Sequence, residues 1–152
     1  MKKQMATDLN SLMPIILEHF ASGTSVRFAP KGTSMLPMLR QDIDSVVISP
    51  VPEKLKKYDL PLYRRDNGQY TLHRIVEVGD TFVCMGDNQF RKEYGVRKDQ
   101  MLAVVTAFYR GERKYTTDHL GYQVYCRLWY HSRHIRHLWR RGWGWLRRHL
   151  WR

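Results

Sequence analysis

Cysteine is almost absent from this chain. Two residues, Cys84 and Cys126, in 152 are too few to staple a secreted scaffold. They read as free thiols on the reducing side of a membrane. No apolar run approaches the roughly 18 to 20 residues that a helical span needs, which argues against an integral membrane protein and leaves a surface-bound one open. Met1-Lys2-Lys3-Gln4-Met5 is followed by Asp8 and Asn10 before any apolar stretch, so no cleavable signal peptide is expected. Internal repeats, low-complexity linkers and a βαβ rhythm are also missing. Acid is scarce: 14 Asp and Glu stand against 26 Lys and Arg, a formal net charge of +12.

What is present suits one folded domain with an appended segment, at 43% apolar and 26% charged residues. The excess charge is unevenly placed. Eight arginines, all five tryptophans and no acid fall between Arg127 and Arg152, leaving the first 126 residues with a charge of only +4. The chain therefore divides into an N-terminal helix (1–23), a β domain (24–117) and a basic aromatic tail (118–152).

Leu9, Leu12, Met13, Ile16, Leu17 and Phe20 recur at helical spacing over 8–22, with Asp8 as a cap and Gly23 as a stop. The period then becomes strand-like. Short runs at Ser25–Phe28, Ser45–Ile48, Leu60–Arg64, Tyr70–Val78, Thr81–Met85 and Met101–Tyr109 are separated by turns such as Asp66-Asn67-Gly68. The expected body is mainly β, a bent sheet or partly closed barrel.

Three patches interrupt this pattern with chemistry. In Lys31-Gly32-Thr33-Ser34-Met35-Leu36-Pro37, glycine bends the chain just before a serine and proline fixes it just after. Such a turn can present a hydroxyl beside backbone amides. It can equally be an ordinary turn built from turn-favouring residues. In Leu72-His73-Arg74-Ile75, a histidine within an apolar strand is a candidate base; the competing reading is a half-buried histidine beside a solvated arginine. In Met85-Gly86-Asp87-Asn88, Asp87 could orient that imidazole or cap its own turn.

Taken together and in this order, Gly-x-Ser-Met-x-Pro, His-Arg-Ile and Gly-Asp-Asn resemble the signal peptidase and LexA-like repressor superfamily of serine peptidases, over about Val26 to Val105. His73 stands where that family has its lysine, which is similar to the histidine type found in endoplasmic-reticulum and archaeal signal peptidases. The resemblance implies Ser34 as nucleophile and His73 as general base. It gives a third catalytic member as Asp87, which is favoured, or as Glu93 a few residues beyond Gly-Asp-Asn. The chain departs from the bacterial pattern in having Gly32 and Thr33 before the serine. Its oxyanion hole then rests on backbone N–H groups, that of Ser34 among them, with Thr33 as a further candidate. The family's Gly-Asp pairs appear as Gln41-Asp42 and Tyr58-Asp59, and Pro61 suggests an edge strand. Lys31 and Lys56 lie in the wrong places for a catalytic lysine.

On a helical wheel, Leu128, Ile135, Trp139, Leu146 and Leu150 gather on one side, with Leu138, Trp143 and Trp145 at its margins. Arg133, Arg136, Arg140, Arg141, Arg147 and Arg148 occupy the other. The pattern fits a helix in the interface of an anionic membrane. Gly142 and Gly144 would hinge it. Docking on the body and binding of nucleic acid are the competing readings, the latter without any recognisable motif.

The expectation is a serine endopeptidase working by a Ser34/His73 pair on a peptide or leader-bearing precursor, cytoplasmic and peripheral on the inner face of the membrane. No metal or cofactor is implied, since no ligand spacing is present. A self-cleaving regulator is disfavoured, because too few residues precede the body for a DNA-binding domain and neither Ala-Gly nor Cys-Gly occurs. A catalytically silent peptide-binding or membrane-associated scaffold is the alternative from another class.

Overall fold

A computed structural model describes residues 9–139. Asp8 and the tail positions Arg140, Arg141, Trp143, Trp145, Leu146, Arg147, Arg148 and Leu150 lie outside them. The described chain is mainly β, with antiparallel sheets. Helix α1 (Leu9–Ala21) comes first and ends at Gly23, whose φ of +75° glycine adopts without strain. It is followed by β1 (Val26–Phe28), β2 (Ser45–Ser49), β3 (Pro61–Arg64), β4 (Tyr70–Leu72), β5 (Arg74–Val78), β6 (Phe82–Met85), β7 (Glu93–Val96), β8 (Met101–Arg110), β9 (Arg113–Thr116) and α2 (Leu120–His131). Residues 133–139 are again helical.

One sheet runs in the order β1-β2-β8-β3-β4, with β9 on the C-terminal half of β8. The other runs β5-β6-β7. Each keeps open edges, so among the described residues the sheets do not close into a barrel. The long strand β8 is the spine, pairing β2 through Ser45↔Tyr109 to Ser49↔Val104 and β3 through Pro61↔Val104 to Tyr63↔Met101. That makes β3 an interior strand, against the edge position suggested by Pro61. Proline is tolerated there because it is the first residue of the strand, where the ladder is carried by the Val105 N–H donating to Leu60 O.

The stretch Tyr70–Val78, continuous in the sequence, is two strands in two sheets. The chain passes from β4 to β5 at His73, and every residue from Thr71 to Val76 is buried. Burial on both faces erases the alternation that would have marked the break. Strands β7 and β9 escape the sequence reading for the opposite reason: Tyr94 and Gly95 are exposed, as is all of β9, so neither carries an apolar stripe.

Three apolar clusters result, a minor one of Val76, Met85 and Tyr130 and two main cores. The larger packs Met13 and Ile16 of α1, Met35, Met38 and Leu39 of the following loop, and Tyr122 and Cys126 of α2 against the first sheet. Leu17, placed on the apolar face by its spacing, is instead exposed. The smaller core joins the sheets through Tyr63, Ile75, Phe82, Cys84 and Val104. Both cysteines are free and buried. The first three turns of the basic segment are thus part of the body.

A buried ion pair fastens these parts together. Arg74, expected as a solvated neighbour of His73, is 2% exposed. Its Nε and Nη2 donate to the two oxygens of Asp87 at 2.8 and 2.7 Å. Nη1 donates to Tyr122 Oη at 2.8 Å, Cys126 Sγ at 2.9 Å and Tyr58 O at 3.2 Å, and Nη2 also reaches Met38 Sδ at 3.1 Å. Burial alone would lower the guanidinium's pKa, but Asp87 outweighs it and the charge is retained. An Arg74→Met variant strands a buried carboxylate and is expected to lose about 3–5 kcal/mol of stability in urea unfolding. A loss below about 1 kcal/mol would show that the pair is not structural.

Candidate active site

Ser34 sits in a loop held down on both sides. Gly32, at φ +97°, makes the turn into it, and its N–H donates to Gln41 Oε1 at 2.8 Å. Met35, Met38 and Leu39 are buried in the larger core, while Ser34 is half-buried and Thr33 exposed. The apolar side chains anchor the loop and leave the serine at its rim.

The Gly86-Asp87-Asn88 segment grips that loop from above. The Asn88 N–H donates to Ser34 O at 2.8 Å, and Asn88 Nδ2 donates to Thr33 O at 3.1 Å. Gly86 lies so close that a Cβ there would stand 2.7 Å from Ser34 O. Glycine is required at this position by contact, not by backbone conformation.

His73 reaches the same place from the junction of the two sheets. It lines, with Ser34, a cleft of about 230 Å3 whose walls include Lys31, Gly32, Gln69, Tyr70, Thr71 and Gln89. The two residues that the sequence singles out as nucleophile and base therefore face one cavity. Lys31, set aside as a base, also lines it, whereas Lys56 lies on a different cleft.

The acid beside the imidazole is Glu93 and not the favoured Asp87. Glu93 Oε2 lies 3.8 Å from His73 Nδ1 and accepts from Tyr63 Oη at 2.8 Å. The Tyr63 hydroxyl in turn lies 3.4 Å from His73 Nδ1. With its proton committed to Glu93, this hydroxyl can only accept from the ring, which assigns the imidazole proton to Nδ1 and leaves Nε2 with a free lone pair. Arg65 closes the group with a bidentate contact to Glu93, Nε to Oε1 at 2.8 Å and Nη2 to Oε2 at 2.7 Å. Asp87 is withheld from this role because both of its oxygens are taken by Arg74, and Tyr125 Oη adds a third contact at 3.2 Å.

The electrostatics follow from these neighbours. Burial, reinforced by the Arg65 charge, pushes the His73 pKa down to about 4, while Glu93 and Asp87 pull the other way. Burial would raise Glu93, but hydrogen bonds from Arg65 and Tyr63 outweigh it and hold the carboxylate below its usual range. Burial pushes the Tyr63 hydroxyl well up and the Cys84 thiol up to about 12, so neither ionises near neutral pH. Among the described residues no group of three His, Cys, Asp or Glu is placed to hold a metal ion.

Sequence reasoning missed Tyr63 and Arg65. Nothing in Leu62-Tyr63-Arg64-Arg65 marks them, since their role depends on β7 lying across them. Among known protein families, curated proteins and solved structures, none matches the chain.

The depressed His73 value has a consequence for stability. Above the ordinary histidine value of 6.5, folded and unfolded chains both carry neutral imidazole. Between 6.5 and about 4 only the unfolded chain takes up the proton, so stability falls across that window, by about 3 kcal/mol at its acid end. A His73→Gln variant should lack this slope. NMR titration of the His73 ring should show a midpoint near 4, and a midpoint near 6.5 would contradict the burial argument.

Proposed function

We propose that the protein is a serine endopeptidase, resembling the signal peptidase and LexA-like superfamily with the histidine-type catalytic pair. The observation that carries this reading is the shared cleft of Ser34 and His73, in which a buried imidazole is neutral at physiological pH and supported from behind by Tyr63 and Glu93. Tyr58 adds a detail. It occupies the position of a family Gly-Asp pair and takes φ +78°, a left-handed conformation that glycine adopts freely.

In the proposed reaction His73 Nε2 takes the Ser34 hydroxyl proton as Oγ bonds to the substrate carbonyl carbon. The carbonyl oxygen becomes an oxyanion held by backbone N–H groups, that of Ser34 included. Glu93, acting across Tyr63, stabilises the imidazolium that forms. His73 then delivers the proton to the amine nitrogen as the C–N bond breaks. Water repeats the sequence on the acyl-enzyme, with His73 again as base.

The substrate is an extended peptide. β4 is the edge strand of its sheet, and Tyr70, Thr71 and Leu72 line the cleft, so a peptide laid along that edge adds main-chain pairing beside Ser34. A cytoplasmic location, with a dedicated precursor as substrate, suits the two buried free thiols.

A fluorophosphonate probe tests the chemistry. Labelling of the wild-type protein should fall by about 10³-fold or more in both Ser34→Ala and His73→Ala. Glu93→Gln should lose about 10²-fold or more while remaining folded. Labelling that survives Ser34→Ala overturns the assignment. A wild-type protein that binds leader-like peptides but neither labels nor cuts them is a peptide-binding scaffold instead.

A further inference from the structure

Helix α2 and residues 133–139 are amphipathic in an unusual sense. The face turned to the body carries Tyr122, Tyr125, Cys126, Trp129 and Tyr130, as a packed helix should. The face turned away carries large apolar side chains beside the exposed Arg127, His131 and His134. Leu120, Val124, Leu128, Ile135, Leu138 and Trp139 are each between 45% and 76% exposed, and their spacing of three, four and seven residues forms one stripe. A contiguous apolar stripe left in water marks an interaction surface.

Arg127 borders the stripe and lies over the Tyr58 ring, whereas Arg133 over Tyr130 at 4.0 Å and Arg136 over Trp129 at 3.4 Å lie toward the body, on rings of the packed face. No Asp or Glu follows Asp118 in the chain, and five further arginines and three further tryptophans follow Trp139. We propose that this stripe docks the protein on an anionic lipid bilayer, with the apolar side chains at the acyl boundary and the arginines at headgroup phosphates.

Charge selects this occupant over the others. Two copies of this segment set against each other would bring like charges together, since no acid follows Asp118 to offset the arginines. A bilayer offers apolar depth and diffuse negative charge side by side, which is what a Leu/Ile/Trp stripe in a strongly basic segment requires. Tryptophan also favours the headgroup level. The surface is firmly joined to the rest of the protein. Trp129 Nε1 donates to Asp87 O at 2.7 Å, and His137 packs on Phe90 with ring centroids 4.7 Å apart. Docking therefore fixes the loop that holds Ser34 relative to the bilayer. The proposal stands independently of the peptidase reading.

Flotation of the full chain with vesicles tests it. Mixed phosphatidylglycerol and phosphatidylcholine vesicles should bind about tenfold or more tightly than phosphatidylcholine alone, and added salt should weaken that binding. The double variant Leu128→Ser, Ile135→Ser changes only exposed side chains and should keep its circular dichroism. Its binding to the anionic vesicles should fall by about tenfold or more, the scale on which burying one such side chain acts. Equal binding to both vesicle types, or undiminished binding by the variant, overturns the proposal. So does a dimer of the wild-type chain that the same variant dissolves, which would give the surface to a second copy.

Discussion

The guanidinium of Arg74 organises this molecule because it has almost no access to water. A buried arginine must spend its donors inside the protein, and each acceptor it engages becomes fixed relative to the others. Here those acceptors come from four places: the Asp87 carboxylate after β6, the Tyr58 carbonyl before β3, Met38 in the serine loop, and Tyr122 and Cys126 on α2. Arg74 is also the residue next to His73. One ion pair thus sets the strand that carries the imidazole, the turn that grips Ser34 and the helix that carries the outer apolar stripe.

This arrangement divides the work of two carboxylates. Asp87 neutralises Arg74 and so belongs to the framework; its neighbours Gly86 and Asn88 pass that rigidity to the backbone of Thr33 and Ser34. Glu93 is half-exposed, paired with Arg65 and linked to His73 by the Tyr63 hydroxyl, so it acts on the charge of the imidazole. The two acids lie close in the chain and both act on the imidazole through their charge, yet Asp87 is tied into the framework by Arg74 while Glu93 stands within 3.8 Å of the ring. The distinction comes from which cation reaches each first.

Much of the scaffold was legible in the residues. The spacing of Met13 and Ile16, the apolar run Met101–Tyr109 and the turn at Asp66-Asn67-Gly68 each reflect a side chain's own preference for core or solvent. Ser34, His73 and the Gly-Asp-Asn turn stood out as interruptions of a regular pattern, each with an ordinary structural explanation, and only the resemblance to a peptidase family joined them into one candidate site. What could not be read depends on contacts distant in the chain. Arg74 looks solvated until α2 covers it, and Tyr63 is one aromatic in a strand until Glu93 arrives across it. The crossing between sheets at His73 is hidden because Leu72 and Ile75 are buried on either side. Pro61 misled, because its missing donor is harmless at a strand's first residue.

In the proposed reaction Ser34 and His73 act on one carbonyl. A crystal structure of the protein with a peptidyl boronate tests it most directly. Boron should be bonded to Ser34 Oγ, with the His73 Nε2 nitrogen about 2.6–3.2 Å from a boronate oxygen and the peptide running along the β4 edge. A boronate attached elsewhere, or one on Ser34 with the imidazole turned away from it, would rule out the Ser34/His73 pair.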